Sequence, residues 1–371
     1  MIMIEPIRVL QVVASLNAGG MENYIMNLYR MVDKSKVQFD FVVHHAAVGL
    51  YEDEIQELGG KIYHFTVLDD KNVIKYISEL NKFFDEHKEY KIIHGHLSSL
   101  AVFYFGVAKK YNVPWRIAHS HGAGFLHTLK GTAKYLLFRT TKWNANVRLA
   151  CSTEAGKYLY GKDSFEFVPN GIDVDRFKFD ENKRIEMRKV LGICDEYVVG
   201  HVGRFNLQKN HEYLLSIFKE AQQKAPNVRL LLLGEGELFS KIQNLAEDMG
   251  IKNKIIFAGV HKDVENYYQA MDAFVLPSLF EGLPVTGIEA QYSGLPCFFS
   301  DEVTREVKIC SDTKFLKIGN ENLGLWVDAI SQQRINKERN KIELITKKFD
   351  IRTAAKSMEK RYIDLWKQSN S

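Results

Sequence analysis

Glu281 and Glu289 stand eight positions apart in the segment Phe280-Glu281-Gly282-Leu283-Pro284-Val285-Thr286-Gly287-Ile288-Glu289. A helix begun near Val285 would set the two carboxylates about two turns apart, on the order of 10 Å. The hexose and the ribose of a nucleotide sugar are separated by about that much, and carboxylate oxygens accept hydrogen bonds from both. The backbone from Gly282 through Leu283, Pro284 and Val285 to Thr286 would open the helix, where unpaired N–H groups and the helix dipole favour a diphosphate. The same residues would also suit an ordinary strand-loop-helix junction carrying two surface glutamates.

Positive charge follows another apolar run. In Gly203-Arg204-Phe205-Asn206-Leu207-Gln208-Lys209-Asn210, the cations Arg204 and Lys209 are five residues apart. That pair suits a diphosphate leaving group whose charge grows during reaction; solvated loop cations are the alternative. Near the N-terminus, Asn17-Ala18-Gly19-Gly20-Met21-Glu22 follows the first apolar run, and Gly19 and Gly20 let backbone approach a phosphate or sugar closely. The third glycine of a dinucleotide fingerprint is missing, which argues against NAD and leaves a structural turn as the other reading. His94 and His96, and His119 and His121, form two alternating pairs, each sharing one face of a strand. With no acidic ligand nearby, they are read as separate strand ends rather than a metal site. His121-Gly122 opens a loop toward a cleft and is the functional candidate, with His119 as a core residue.

These residues need a scaffold. The 371 residues suit two domains of roughly 170 each. Apolar runs at Val9–Ala14, Phe39–His44, Lys61–Phe65, Ile92–His94 and Arg116–His119 alternate with helical patterns such as Met21–Val32. The order repeats at Val198–Val202, Arg229–Leu233, Lys254–Phe257, Ala273–Leu276 and Cys297–Ser300, with a helix over Glu212–Gln223. The predicted architecture is α/β, two doubly wound parallel sheets with the site in the cleft between them. Pro169-Asn170-Gly171-Ile172-Asp173 is turn chemistry, and the charged stretch Asp180–Lys189 after it is taken to separate the lobes. The expected boundaries are 1–175, 176–348 and a C-terminal helical segment 349–371 that braces the cleft.

The composition, 46% hydrophobic and 26% charged, is that of a folded globular chain, without a run of the ~20 apolar residues of a membrane span. The N-terminus reads as a first strand rather than a signal peptide, so a cytoplasmic location is expected. Cys151, Cys194, Cys297 and Cys310 have no paired spacing and are expected to be reduced thiols, without disulfide or structural zinc. The net charge is +4, yet no Asp or Glu occurs between Glu89 and Glu154. Within residues 125–148, Phe125, Leu126, Leu129, Tyr135, Phe138 and Trp143 interleave with Lys130, Lys134, Arg139 and Lys142. This suits an anionic membrane surface or a lipid-linked substrate; a solvated helix face is the alternative. No recognition motif accompanies the charge, so nucleic acid is not an expected partner.

Taken in order, Leu16–Glu22, Ala118-His119-Ser120-His121-Gly122, Val168–Asp173, Gly203–Asn210, Leu233-Gly234-Glu235-Gly236 and Glu281–Glu289 give the chain a resemblance to the retaining glycosyltransferases of family four along essentially its whole length. The texture looks most like bacterial enzymes of capsular and exopolysaccharide assembly. The resemblance implies the GT-B fold and transfer from a nucleotide-diphosphate sugar, most often a UDP-sugar, to a saccharide or lipid-linked saccharide, with no metal and no cofactor. It implies that Glu281 contacts the donor sugar, Glu289 the ribose, and Arg204 and Lys209 the diphosphate. By the same resemblance His121 touches the sugar or its developing charge from the other lobe. Gly19 and Gly20 would pack against the phosphates or the acceptor end, and Val260 and His261 would border the base. The Asp173-Val174-Asp175 triplet continues the turn and reads as structural. Thr286-Gly287 and Gln291-Tyr292 depart from the pattern of relatives and are expected to reshape the sugar pocket. Two other classes remain open, a nucleotide-sugar epimerase on the same scaffold and a non-catalytic sugar-nucleotide-binding protein.

Overall fold

Strands buried on both faces read as continuous apolar runs, and here they pair in parallel throughout. The computed structural model describes residues 5–17, 19–45, 47–66, 72–122, 140–335, 339 and 347–369. The chain divides into two compact units, Met1–Ile172 with Lys348–Ser371, and Asp173–Lys347.

The first unit holds β1 (Ile7–Val13), β2 (Val37–Val43), β3 (Ile62–His64), β4 (Ile92–Gly95), β5 (Trp115–Ser120), β6 (Val147–Ala150) and β7 (Glu166–Phe167), in the spatial order β3-β2-β1-β4-β5-β6-β7. All seven residues of β2 are buried, as its sequence Val-Gln-Phe-Asp-Phe-Val-Val requires of an inner strand. The second unit holds β8 (Tyr197–Val202), β9 (Val228–Leu233), β10 (Ile255–Gly259), β11 (Ala273–Leu276), β12 (Cys297–Ser300) and β13 (Lys314–Leu316), ordered β10-β9-β8-β11-β12-β13. Both sheets are doubly wound. The winding reverses between β1 and β4 in one and between β8 and β11 in the other, and in such sheets the crevice at the reversal is where ligands sit.

Residues Asp180–Lys189 do not separate the lobes. They belong to the helix Glu181–Val190 of the second unit, begun by the Asp180 carboxylate, which accepts from the amides of Asn182 and Lys183. Arg184 and Arg188 on that helix both pair with Asp272, at 2.6 and 3.3 Å. These two arginines tie the helix to the second unit, while Glu181, Lys183, Glu186 and Lys189 remain exposed.

The helix Ile351–Gln368 belongs to the first unit and packs on the helix Gly20–Met31 and on β1. Ile351, Ala355, Met358 and Tyr362 are buried, a spacing that lines one helix face. Each large apolar side chain on it contributes about 1.5–3 kcal/mol.

Candidate active site

Because β8 and β11 are neighbours, the loops that leave their carboxyl ends meet. The Leu279 amide donates to the Gln208 carbonyl at 2.8 Å, and Asn210 Nδ2 donates to the Pro277 carbonyl at 3.2 Å. Asn210 adopts a left-handed conformation, φ 55°, a turn that Asn tolerates better than most residues. The two loops together present Glu281. Its carboxylate accepts from Lys209 Nζ at 2.6 Å, Ser278 Oγ at 2.7 Å and Gln208 Nε2 at 3.2 Å. Glu281 is only 8% exposed, and the Lys209 side chain 14%. Gly203 lets the lysine stem pass, since a Cβ there would lie 3.1 Å from Lys209 Cε.

Four residues beyond Glu281 the helix Val285–Tyr292 begins, with Pro284 at its N-cap and no side-chain cap. Its first amides are the unpaired donors of a helix start. The Thr286 hydroxyl in that first turn is buried without a hydrogen-bond partner. Glu289, 6% exposed on the same helix, accepts from the Tyr268 hydroxyl at 2.9 Å. Burial pushes its carboxyl up to about 7, against the pull of the Tyr268 hydrogen bond and of Arg176. One carboxylate is thus ion-paired and the other is held beside a phenol.

Gln291 turns away from this surface. Its Oε1 accepts from the amides of Ile309 and Cys310 and from Thr313 Oγ1, at 2.8, 3.0 and 2.9 Å, while Nε2 donates to the Gly287 and Val307 carbonyls. Gly287 is small because a Cβ there would lie 2.9 Å from the Phe299 ring. Gln291 thus anchors the helix to the 307–313 segment, and Gly287 lets the Phe299 ring pack closely against it.

Arg204 and Lys209 have different ionic partners. Arg204 is 71% exposed and reaches Glu237 at 3.2 Å, whereas Lys209 is held by Glu281. Val260 is exposed, and His261 Nε2 lies 2.7 Å from the Ala258 carbonyl and 2.8 Å from the Tyr267 hydroxyl. Asp173 caps a short helix by accepting from the Asp175 amide at 3.3 Å.

In the first unit the reading of two separate histidine pairs is overturned. The strands β4 and β5 are adjacent, so the four rings form one cluster. The centroids of His94 and His96 are 4.2 Å apart, those of His119 and His121 4.2 Å, and those of His96 and His121 5.1 Å. Nitrogens of His94, His96 and His119 lie within 4.8 Å of one another, a spacing a metal ion could bridge. However, His96 has both nitrogens engaged, by His121 and Gln11, which leaves two ligands where catalytic zinc takes three. Burial holds all four imidazoles below their usual range, His121 at about 4. Gly19 caps the helix Gly20–Met31, and a Cβ on it would collide with the Glu22 carboxylate. Of the basic aromatic segment, residues 123–139, including Lys130, Lys134 and Arg139, lie outside the described residues, as does the Lys142 side chain; Trp143 is 71% exposed.

Comparison with known proteins places this geometry. Residues 18–176 match the model of Glycosyltransferase Family 4, and residues 183–350 that of Glycosyl transferases group 1. The Bacillus subtilis protein EpsF, assigned as a glycosyltransferase, is 32% identical over 334 residues, 88% of this chain and 87% of that one. This chain is a family-four glycosyltransferase. The Escherichia coli UDP-Gal:alpha-D-GlcNAc-diphosphoundecaprenol alpha-1,3-galactosyltransferase is 30% identical over 251 residues, 63% of this chain and 62% of that one. Anabaena HepE, solved in complex with UDP and glucose, superposes with a TM-score of 0.79 at 16% identity, covering 96% of this chain and 100% of that one. The glycosyltransferase thus has the two-domain GT-B fold.

Its site contains residues that sequence reading passed over. Gln208 and Ser278 hold Glu281, Tyr268 holds Glu289, and Asn170 Oδ1 lies 3.0 Å from His121 Nδ1. Ser278 stands three residues before Glu281, a spacing that could have marked it; Gln208 and Asn170 stood inside quoted motifs without a role of their own, and Tyr268 left no local signal.

Proposed function

We propose that this glycosyltransferase moves a hexose from a UDP-sugar to a saccharide or lipid-linked saccharide in polysaccharide assembly, with retention of anomeric configuration and without a metal. The observation that carries the reading is the Lys209–Glu281 pair beside the uncapped start of the helix Val285–Tyr292, with buried Glu289 about one turn into that helix. Glu281 takes the sugar hydroxyls, Glu289 the ribose, and Lys209 with the backbone amides of Gly282, Leu283, Val285 and Thr286 the diphosphate. Arg204, exposed and able to leave Glu237, adds charge as the diphosphate departs. Val260 and His261 border the base, while His121, Gly19 and Gly20 contribute from the first unit. The bound UDP of HepE supports the base, and the diphosphoundecaprenol acceptor of the Escherichia coli relative supports a lipid-linked acceptor. Such an acceptor places the enzyme at the cytoplasmic membrane face through residues 125–148.

The test is transfer from UDP-sugars to a prenyl-diphosphate-linked saccharide with excess EDTA. An axial donor should give an axial product at undiminished rate. Loss of activity restored by Mn²⁺, or an inverted product, would contradict the proposal. Epimerised UDP-sugar formed without any acceptor would support an epimerase instead.

A further inference from the structure

A buried chain of hydrogen bonds runs from the C-terminal helix to His121. Tyr362 Oη lies 2.6 Å from His94 Nδ1 and 3.4 Å from Gln11 Nε2. Gln11 Oε1 lies 3.0 Å from His96 Nε2, and His96 Nδ1 lies 2.8 Å from His121 Nε2. Gln11, His94 and Tyr362 are essentially excluded from solvent and His96 nearly so, so water is a poor substitute partner for any link.

The polarity of the chain follows from the groups in it. The Gln11 carbonyl oxygen can only accept, so the His96 proton sits on Nε2. A neutral His96 then has a lone pair on Nδ1, and the facing His121 Nε2 must donate. The Gln11 amide nitrogen can only donate, to Tyr362 Oη, whose own proton goes to His94 Nδ1. Turning the Gln11 amide over would reverse every donor at once, so the links share one direction. At the far end, Asn170 Oδ1 lies 3.0 Å from His121 Nδ1; with His121 protonated at Nε2 and Nδ1 a lone pair, the Asn170 amide must be turned over so that Nδ2 donates there.

We propose that Gln11 and His96 are positioning residues that fix the Nε2–H tautomer of His121 and leave Nδ1, on the Asn170 side, as the edge that exchanges partners with the donor sugar. The proposal rests on the reading of His121 as a donor-side group. Neither Gln11 nor His96 touches substrate. Gln11 lies on β1 and His96 directly after β4, the two strands at which the first sheet reverses, so the sheet itself carries the orientation to His121.

The test is nitrogen-edited NMR of the full chain labelled at histidine, at a pH where His121 is neutral. The wild type should show His121 protonated at Nε2, and Gln11→Met should show a mixture of tautomers. His96→Asn, which keeps an acceptor near the position of Nδ1, should restore the single tautomer that His96→Leu loses. Turnover should fall on the order of tenfold in Gln11→Met with little change in KM, as expected of misorientation rather than lost binding. Protonation at Nδ1 in the wild type, or an unchanged tautomer in Gln11→Met, would overturn the proposal. Undiminished turnover in His121→Ala is a separate result and would instead remove His121 from the donor.

Discussion

Lys209 makes two contributions that a single substitution separates. Removing it as Lys209→Ala leaves the Glu281 carboxylate buried with two of its three donors, Ser278 and Gln208. Deleting one partner of a fully buried ion pair costs about 3–5 kcal/mol. The surviving hydrogen bonds and the partial exposure of Lys209 bring the figure to about 2 kcal/mol. In a unit of this size, 1 kcal/mol moves the unfolding midpoint by about 2–4 °C, so scanning calorimetry should show a fall of about 4–8 °C in the second unit. Turnover should fall by about 10²–10³, the loss expected when one preorganised charge beside a leaving group is removed. The double variant Lys209→Ala/Glu281→Gln should recover most of the stability and none of the turnover. A single variant with unchanged midpoint and turnover would refute the reasoning. Full turnover in the double variant would show that Lys209 merely neutralises Glu281 and never meets the diphosphate.

The raised carboxyl of Glu289 predicts a pH dependence. The unfolded chain releases this proton near 4.5 while the fold holds it to about 7, so stability should fall as pH rises between these values and level off above them. Glu289→Gln should remove about 3 kcal/mol of that slope, read by unfolding at pH near 5 and near 8; parallel slopes in the two proteins would contradict it. Gln291→Leu leaves one buried and two half-buried donors without their acceptor and should destabilise by about 2–3 kcal/mol in chemical unfolding. A loss under about 1 kcal/mol would mean that the 307–313 segment re-pairs elsewhere. Co-sedimentation with anionic vesicles should be strong at low salt, weak at high salt, and lost when Lys130, Lys134, Arg139 and Lys142 become Gln. Equal sedimentation of native and neutralised chains would remove the membrane role of this segment.

The sheets were legible because inner parallel strands such as β9, Val-Arg-Leu-Leu-Leu-Leu, announce themselves as apolar runs. Short strands at or near a sheet edge do not. The two residues of β7 are both exposed and the three of β13 only partly buried, so neither carries an apolar signature. Glu281, Glu289 and Lys209 stood out as charges in glycine-rich surroundings. Their partners did not, because pairing of Lys209 with Glu281 spans 72 positions and depends on β8 lying beside β11. Nor did local spacing show the contact of Arg204 with Glu237, or the five hydrogen bonds by which Gln291 anchors its helix. The histidine cluster was hidden for the same reason, since only the adjacency of β4 and β5 joins its two halves.

Donor binding by the second unit is tested most directly by thermal shift of the native chain and of Lys209→Ala and Glu289→Gln against UDP-, GDP- and ADP-sugars. A ligand at about 100 times its dissociation constant stabilises by roughly 2.7 kcal/mol, which in a unit of this size is a rise of about 5–11 °C. A UDP-sugar should produce that rise in the native chain and little of it in either variant. No shift with any nucleotide sugar, or equal shifts in all three proteins, would contradict a donor site built on Lys209, Glu281 and Glu289.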